Sequence, residues 1–241
     1  MLMSLVEETQ SVLSYPELAG KRVLITGLTS SCGVDIVRAF AEHRARLVLQ
    51  FDETSESTDA IAEIAAPHAL DIKAFGPVGA ETEGVAQFAR AAMQAFGGID
   101  TLINLVPLEP GALGKAVSVD DIERRVSRRL LLPCLMGKIA ANRMGLSHIE
   151  GLILNVAMLT LPIRGPAQAF ATVAKSALAA MTRSQAQEWA DKAIRFNAIA
   201  PQVSPVRSDR GLAGEPEIAS LALYLASGRG KELSGHVLEA E

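Results

Sequence analysis

Gly27 and Gly33 frame the stretch whose residue types and spacing point most directly to chemistry. Before them, Val23, Leu24 and Ile25 form a short apolar run, suited to a strand buried on both faces and stopped at Gly27. After them, Val34, Val37 and Phe40 recur at helical spacing. A buried strand that turns sharply into a helix aims free backbone N–H groups, and the positive end of the helix dipole, at one point. A phosphate or pyrophosphate fits there, with Ser30, Ser31 and Cys32 in the turn itself. Glycine serves where φ is positive or where ligand and backbone come close. The other reading is a strand–helix turn with no ligand.

The elements that must position this turn follow from periodicity. Arg46–Phe51 reads as a second strand, with Asp52 after it. Glu56–Ala66 reads as a helix and Ala69–Ile72 as a short third strand. Over residues 81–96 a long helix carries Val85, Phe88, Ala89, Ala92, Met93 and Phe96 on its apolar side, and Gly97-Gly98 closes it. A fourth strand then leads to Asn104, and residues 118–145 form a helix that Pro133 should bend. Strand Leu152–Val156, helix Gln168–Lys192, strand Ile194–Ile199, helix Glu215–Ser227 and strand Gly235–Leu238 complete the series. Alternation from end to end predicts an α/β fold: one doubly wound parallel sheet of about seven strands, helices on both faces, right-handed crossovers. Residues 20–241 would form this single domain, preceded by an extension over 1–19. Leu2, Leu5, Val6, Val12 and Leu13 would there make a short amphipathic helix ending before Pro16.

Composition narrows the function classes. A length of 241 residues suits one domain with an ample core. Apolar residues make up 49% and aromatic ones 4%, so that core is aliphatic and Ala-rich. A net charge of −4 gives no reason to expect nucleic acid or an anionic membrane as partner. Arg124, Arg125, Arg128 and Arg129 then read as a solvated or subunit-facing helix surface. Cys32 and Cys134 lack metal-ligand spacing, so no metal is expected, and free thiols fit a cytoplasmic protein. No apolar run approaches the roughly 18 residues of a transmembrane helix. Met1–Val6 is too short, and too uncharged at its start, for a secretory signal.

Thr26-Gly27, Ser31 and Gly33 resemble the Thr-Gly-x-x-x-Gly-x-Gly turn of the short-chain dehydrogenase/reductases, with Ser31 in place of the middle glycine. Phe96-Gly-Gly-Ile-Asp-Thr-Leu-Ile-Asn104 resembles that family's run into its fourth strand. The family continues Asn-Asn-Ala-Gly, whereas this chain reads Asn104-Leu105-Val106-Pro107. Ile194-Arg-Phe-Asn-Ala-Ile-Ala-Pro201 resembles the family's Ile-Arg-Val-Asn-x-Val-x-Pro-Gly, with Gln202 for the final glycine. The resemblance covers roughly residues 18–239. It implies a Rossmann-type fold and a nicotinamide dinucleotide held by Gly27, Ser30, Ser31, Cys32, Gly33, Asp52, Asp71, Ile72, Asn104, Lys175 and Pro201. Asp71-Ile72 stands for the family's adenine-contacting Asp-Val pair. Asp52 would meet the adenosine ribose and repel a 2′-phosphate, favouring NAD over NADP.

The family's reductases use a tyrosine as proton donor and a lysine four residues on, so that both share one helical face. A serine precedes the tyrosine by thirteen residues, and an asparagine one helix away holds a water relay. Lys175 matches the lysine; the tyrosine, serine and asparagine positions are then Ala171, Met158 and Arg129. Tyr15 and Tyr224 lie on elements that should not reach the site, as do His43, His68, His148 and His236. Thr160, Thr172 and Gln168 are the polar residues nearest the vacancy. Between Pro201 and Glu215 the substrate lid is short, Gln202–Gly214.

Three functions follow. One is a catalytically degenerate, dinucleotide-binding protein acting through assembly, alone or beside an active relative. Another is a working NAD(P)-dependent oxidoreductase with an unusual proton donor, and the third is a structural oligomer without ligand. Helices 118–145 and 168–192 correspond to the pair that packs family members into dimers and tetramers. Ala174, Ala177, Ala180 and Met181 would supply the apolar face for such a homo-oligomer.

Overall fold

Apolar runs and amphipathic stretches alternate along the chain and resolve into strands and helices in the same order. The strands are β1 (Arg22–Leu28), β2 (Arg46–Phe51), β3 (Asp71–Phe75), β4 (Thr101–Leu108), β5 (Gly151–Leu159), β6 (Ile194–Ile199) and β7 (Val237–Leu238). The helices are α1 (Val34–Glu42), α2 (Glu56–Ala65), α3 (Thr82–Gln94), α4 (Val119–Leu146), α5 (Pro166–Glu188) and α6 (Glu215–Ala226). The computed structural model describes residues 14–79, 82–108, 119–159, 166–200 and 214–239; within these, 108–129 and 159–171 are described by backbone alone. All seven strands join one parallel sheet in the order β3-β2-β1-β4-β5-β6-β7. This is the Rossmann-type doubly wound sheet that the alternation predicts.

Both faces of the sheet are covered, which is why its central strands read as continuous apolar runs. Along β1, Val23 and Ile25 enter one core, beneath α1 and α6. Leu24 enters the other, beneath α3 and α4. The same alternation sends Ile103 and Leu154 to the first core and Leu102 and Ile153 to the second. Phe40 of α1 and Phe196 of β6 are the largest side chains fully out of water. Each such burial contributes roughly 1.5–3 kcal/mol relative to exposure. Small residues line the helix seams: Ala89 and Ala92 of α3, Ala140 and Ala141 of α4, Ala222 of α6.

A buried polar row crosses the middle of the sheet. Thr26 Oγ1 donates to Asn104 Oδ1 at 3.0 Å, Asn104 Nδ2 donates to Asn155 Oδ1 at 2.9 Å, and Asn155 Nδ2 reaches Thr182 Oγ1 at 3.4 Å. The row links β1, β4, β5 and α5 at one level, where unpaired polar groups would be costly.

Several boundaries differ from the sequence reading, each for a physical reason. β1 is not stopped by Gly27 but runs on to Leu28. β3 starts at Asp71 and not at Ala69, because Leu70 N–H is drawn to Ala45 O before the ladder with β2 begins. β5 extends to Leu159, pairing Met158 with Pro107 of β4. Pro107 is tolerated because β4 has lost its β1 neighbour after Asn104 and pairs with β5 alone. α4 runs through Pro133 as one helix. α5 ends at Glu188, and Ala190–Lys192 form a 3₁₀ turn closed by Ala193 in the left-handed region. The helix expected over Leu2–Leu13 lies outside the described residues. Just after it, Tyr15 and Leu18 are buried against the domain, Tyr15 stacking 5.8 Å from the His43 ring.

At the amino edge, one ion pair ties β1 to β4. Asp100 Oδ2 accepts from Arg22 N at 2.8 Å and Nε at 2.9 Å, while Oδ1 accepts from Nη2 at 2.7 Å. Burial pushes the Asp100 carboxyl up, but the Arg22 side chain and backbone N–H outweigh it and hold it below the ordinary value of 3.8. A depressed carboxyl stabilises the fold above its unfolded pKa and loses that effect as pH falls through the folded one. Asp100→Ala should therefore cost about 2 kcal/mol at neutral pH. Denaturant unfolding across pH should show the deficit shrinking as pH drops below 3.8.

Candidate functional site

In the strand order, β1 and β4 are neighbours although β2 and β3 lie between them in the chain. Helix α1, which follows β1, and α4, which follows β4, pack on opposite faces of the sheet, and open α/β sheets bind ligands in the crevice at the carboxyl ends of such strands. The Gly27–Gly33 turn stands at that crevice. Gly27 has φ +80°, and a Cβ there would run into the backbone carbonyl of Leu105. Gly33 has φ +91°, and its Cβ would strike the side chains of Leu28 and Leu105. Both glycines are thus required by close approach of β1 and β4, on top of the left-handed backbone.

The turn's amides have partners within the chain. Gly27 N–H donates to the fully buried Gln50 Oε1 at 2.9 Å. Thr29 and Cys32 exchange backbone hydrogen bonds at 3.3 Å. Ser31 N–H reaches Thr29 Oγ1 at 3.4 Å. Ser30 N–H donates to Glu53 Oε1 at 2.8 Å, which lowers the Glu53 pKa. At the start of α1, Asp35 N–H donates to Glu215 Oε1 at 2.8 Å. Burial raises the Glu215 pKa above 4.5; the amides oppose this and the Asp35 charge reinforces it. Glu215 comes from the first turn of α6, so its carboxylate stands where a helix N-terminus favours an anion.

The other expected site residues divide into three groups. Asp52 lies just past β2, its N–H bonded to Leu28 O and its Oδ1 3.3 Å from Gln50 Nε2, so it sits beside the turn. Lys175, on α5, directs its Nζ to Glu239 Oε1 at 2.7 Å, just beyond β7. Met158 is buried near the carboxyl end of β5 and packs into the core beneath α1 and α6. Ala171 and Arg129 lie on the backbones of α5 and α4, their side chains outside the description. Pro201, Thr160 and nearly all of the lid, 202–213, are outside the described residues, as is the Gln168 side chain.

Two readings are corrected. Asp71 and Ile72 open β3, with Asp71 paired to Arg46 at the amino end of β2, so they stand at the edge of the sheet opposite the crevice. The crevice end of β3 is Phe75, followed by Gly76-Pro77-Val78. Asn104 is enclosed in the polar row, its amide also near Pro133 O at 3.4 Å, and it holds the sheet instead of reaching the crevice. Sequence reasoning missed Gln50, Glu53, Glu215 and Glu239. No local sequence signal marked them, since each partner lies far from the turn or the lysine along the chain.

Neither described tyrosine serves the crevice. Tyr15 packs at the amino edge beside His43, the C-cap of α1. Tyr224 lies nine residues after Glu215 along α6, roughly 13 Å by helical rise. Among the described residues no group of His, Cys, Asp and Glu is placed to hold a metal ion, and no helix is long and apolar enough to cross a membrane.

Comparison with known proteins places this architecture. Residues 27–222 match the family model described as enoyl-(acyl carrier protein) reductase. The chain is 26% identical over 188 residues to glucose 1-dehydrogenase 2 of Bacillus subtilis, covering 78% of this chain and 73% of that one. It is 26% identical over 251 residues to 3beta-hydroxysteroid dehydrogenase 1 of Eggerthella lenta, covering 93% of each. Its fold superposes on an NADH-dependent reductase solved with NAD at a TM-score of 0.79, with 20% identity, over 94% of this chain and 97% of that one. Fold and crevice define a dinucleotide-fold protein of the oxidoreductase type. The chain belongs to the short-chain dehydrogenase/reductase family.

Glu215 supplies a test of the turn's electrostatics. An acid whose folded pKa is raised keeps its proton more tightly when folded, so stability falls as pH rises above the unfolded value. Glu215→Gln should melt at a higher temperature than the wild type near neutral pH. Thermal unfolding should show that advantage vanish as pH falls to about 4.5, the ordinary glutamate value.

Proposed function

We propose that this protein is a catalytically degenerate member of its family: it keeps the frame for a nicotinamide dinucleotide, binds one weakly, and acts through assembly instead of turnover. The observation that carries this reading is the state of Lys175. Its Nζ is paired with Glu239, and one helical turn earlier the proton donor's position holds Ala171. Hydride transfer to a carbonyl develops negative charge on oxygen, which needs a proton or oriented donors. Alanine offers neither, and the thioether of Met158 is only a weak acceptor. A positioned acid is worth about 10²–10⁴-fold in rate.

NAD is the favoured dinucleotide. Asp52 and Glu53 both stand at the carboxyl end of β2, where a 2′-phosphate would meet two negative charges. Calorimetric titration should give weak binding of NAD(H), with NADP(H) weaker. Spectrophotometric assay should give no reduction of simple ketones, aldehydes or β-ketoacyl substrates with either cofactor. Tighter binding of NADP than NAD would remove the role of the β2 carboxylates, and no binding of either at millimolar levels would favour a purely structural oligomer. The dehydrogenase names of the relatives favour a second reading, an active oxidoreductase with a different donor, Thr160 or Thr172. Robust turnover abolished by Lys175→Ala would establish it.

Assembly is proposed through α4 and α5, as a symmetric dimer or tetramer, alone or with an active relative. Ala174 is buried within the protomer and does not belong to the outer face. Val173 is 57% exposed, and Ala177 and Ala180 follow it at helical spacing; Leu131 of α4 is 48% exposed. Sedimentation velocity at micromolar concentration should show a dimer or larger species, and Val173→Glu should shift it toward monomer. A stable wild-type monomer would contradict the proposal.

A further inference from the structure

We infer that Glu215 occupies the anion position of the glycine turn as an internal stand-in for pyrophosphate, so that a dinucleotide binds only by displacing or protonating it. The inference rests on reading the crevice as a dinucleotide site. Three observations carry it. Helix α1 has no side-chain cap from its own N-cap, Gly33, which holds φ 91°. Its first turn is met by the Glu215 carboxylate, which accepts from Asp35 N–H at 2.8 Å. That carboxylate arrives from a helix 180 positions further on, packed against α1 by the fold itself.

The same device is repeated beside it. Glu53, from the loop after β2, accepts from Ser30 N–H at 2.8 Å. The two carboxylates therefore flank the turn where a diphosphate would sit. A phosphate oxygen and a carboxylate oxygen cannot share one amide, and two anions at hydrogen-bonding separations repel strongly where water is partly excluded. The charges around Glu215 do not relieve this. Asp35 faces it from α1 and is itself 3.3 Å from Arg38. Glu217 is exposed on the same helix. β5, β6 and the turn Gly228–Gly230 also pack on α6; there Arg195 is bonded to Leu225 O and Gly230 O, and Arg229 lies over Tyr15. A neutral side chain at 215 keeps a hydrogen-bond acceptor but removes the competing charge.

The full-length protein is titrated by calorimetry with NAD and separately with inorganic pyrophosphate. Wild type, Glu215→Gln, Glu215→Ala and the control Glu217→Gln are compared at about pH 7.5 and about pH 5.5, the lower being nearer the range in which a raised carboxyl takes up its proton. Glu215→Gln should bind NAD roughly tenfold more tightly than the wild type at the higher pH. The gap should narrow at the lower pH, and Glu217→Gln should match the wild type at both. Pyrophosphate should follow the same order. Wild type and both Glu215 variants binding NAD equally would overturn the inference while leaving weak dinucleotide binding intact. If all bind neither probe at millimolar levels while retaining cooperative melting, both the inference and the dinucleotide reading fall. Where Glu215→Gln melts without cooperativity, Glu215→Ala carries the comparison.

Discussion

The close approach of β1 to β4 is the constraint from which the crevice follows. Gly27 lies against the Leu105 carbonyl with no room for a Cβ, and Gly33 against two leucine side chains. Because the chain must pass this point without side chains, it turns from β1 into α1 within a few residues. That reversal sets α1 on one face and leaves α4, which follows β4, to cover the other. The divergence opens the sheet at its carboxyl edge. The glycine turn, with Gln50, Glu53 and Glu215 on its amides, stands at that gap.

On the proposed reading, fold and chemistry have separated here. The Thr26–Asn104–Asn155–Thr182 row and the Arg22–Asp100 pair hold the central strands. Met158 is absorbed into an apolar core, where its polarizable side chain fills space that a serine would leave wet and unpaired. On that reading, the family's proton-transfer groups can be lost while these central contacts stand. A chain under selection only to fold and assemble can keep this architecture indefinitely.

How far the sequence revealed this depended on whether the determining contact was local. β2 and β6 are buried runs bounded by polar or turn residues, and their limits are legible to the residue. β3 is not. It is the sheet's edge, with mostly exposed or half-buried side chains, so no apolar pattern marks it, and the Asp71-Ile72 pair suggested a register that the ladder with β2 does not adopt. Asn104 was recognisable as a motif residue, but its partners lie 29, 51 and 78 positions away and decide its role. The carboxylates at the turn were invisible for the same reason: nothing near Gly33 in sequence announces a glutamate 180 positions on.

These non-local contacts also change what the surviving motif residues mean. A glycine turn with unmet amides is an anion site by default, because its N–H groups and helix dipole demand a partner. Here Gln50, Glu53 and Glu215 answer that demand from within the chain, and Glu239 does the same for the Lys175 ammonium. A ligand that takes these donors must first displace the groups already on them. On the proposed reading, weak dinucleotide affinity arises without loss of the binding frame: the turn and the lysine persist, but their free state is already satisfied. A motif scan sees the frame and cannot see the satisfaction, which is why the chain matches an oxidoreductase family so widely while its own geometry argues for restraint at the cofactor's anchoring points.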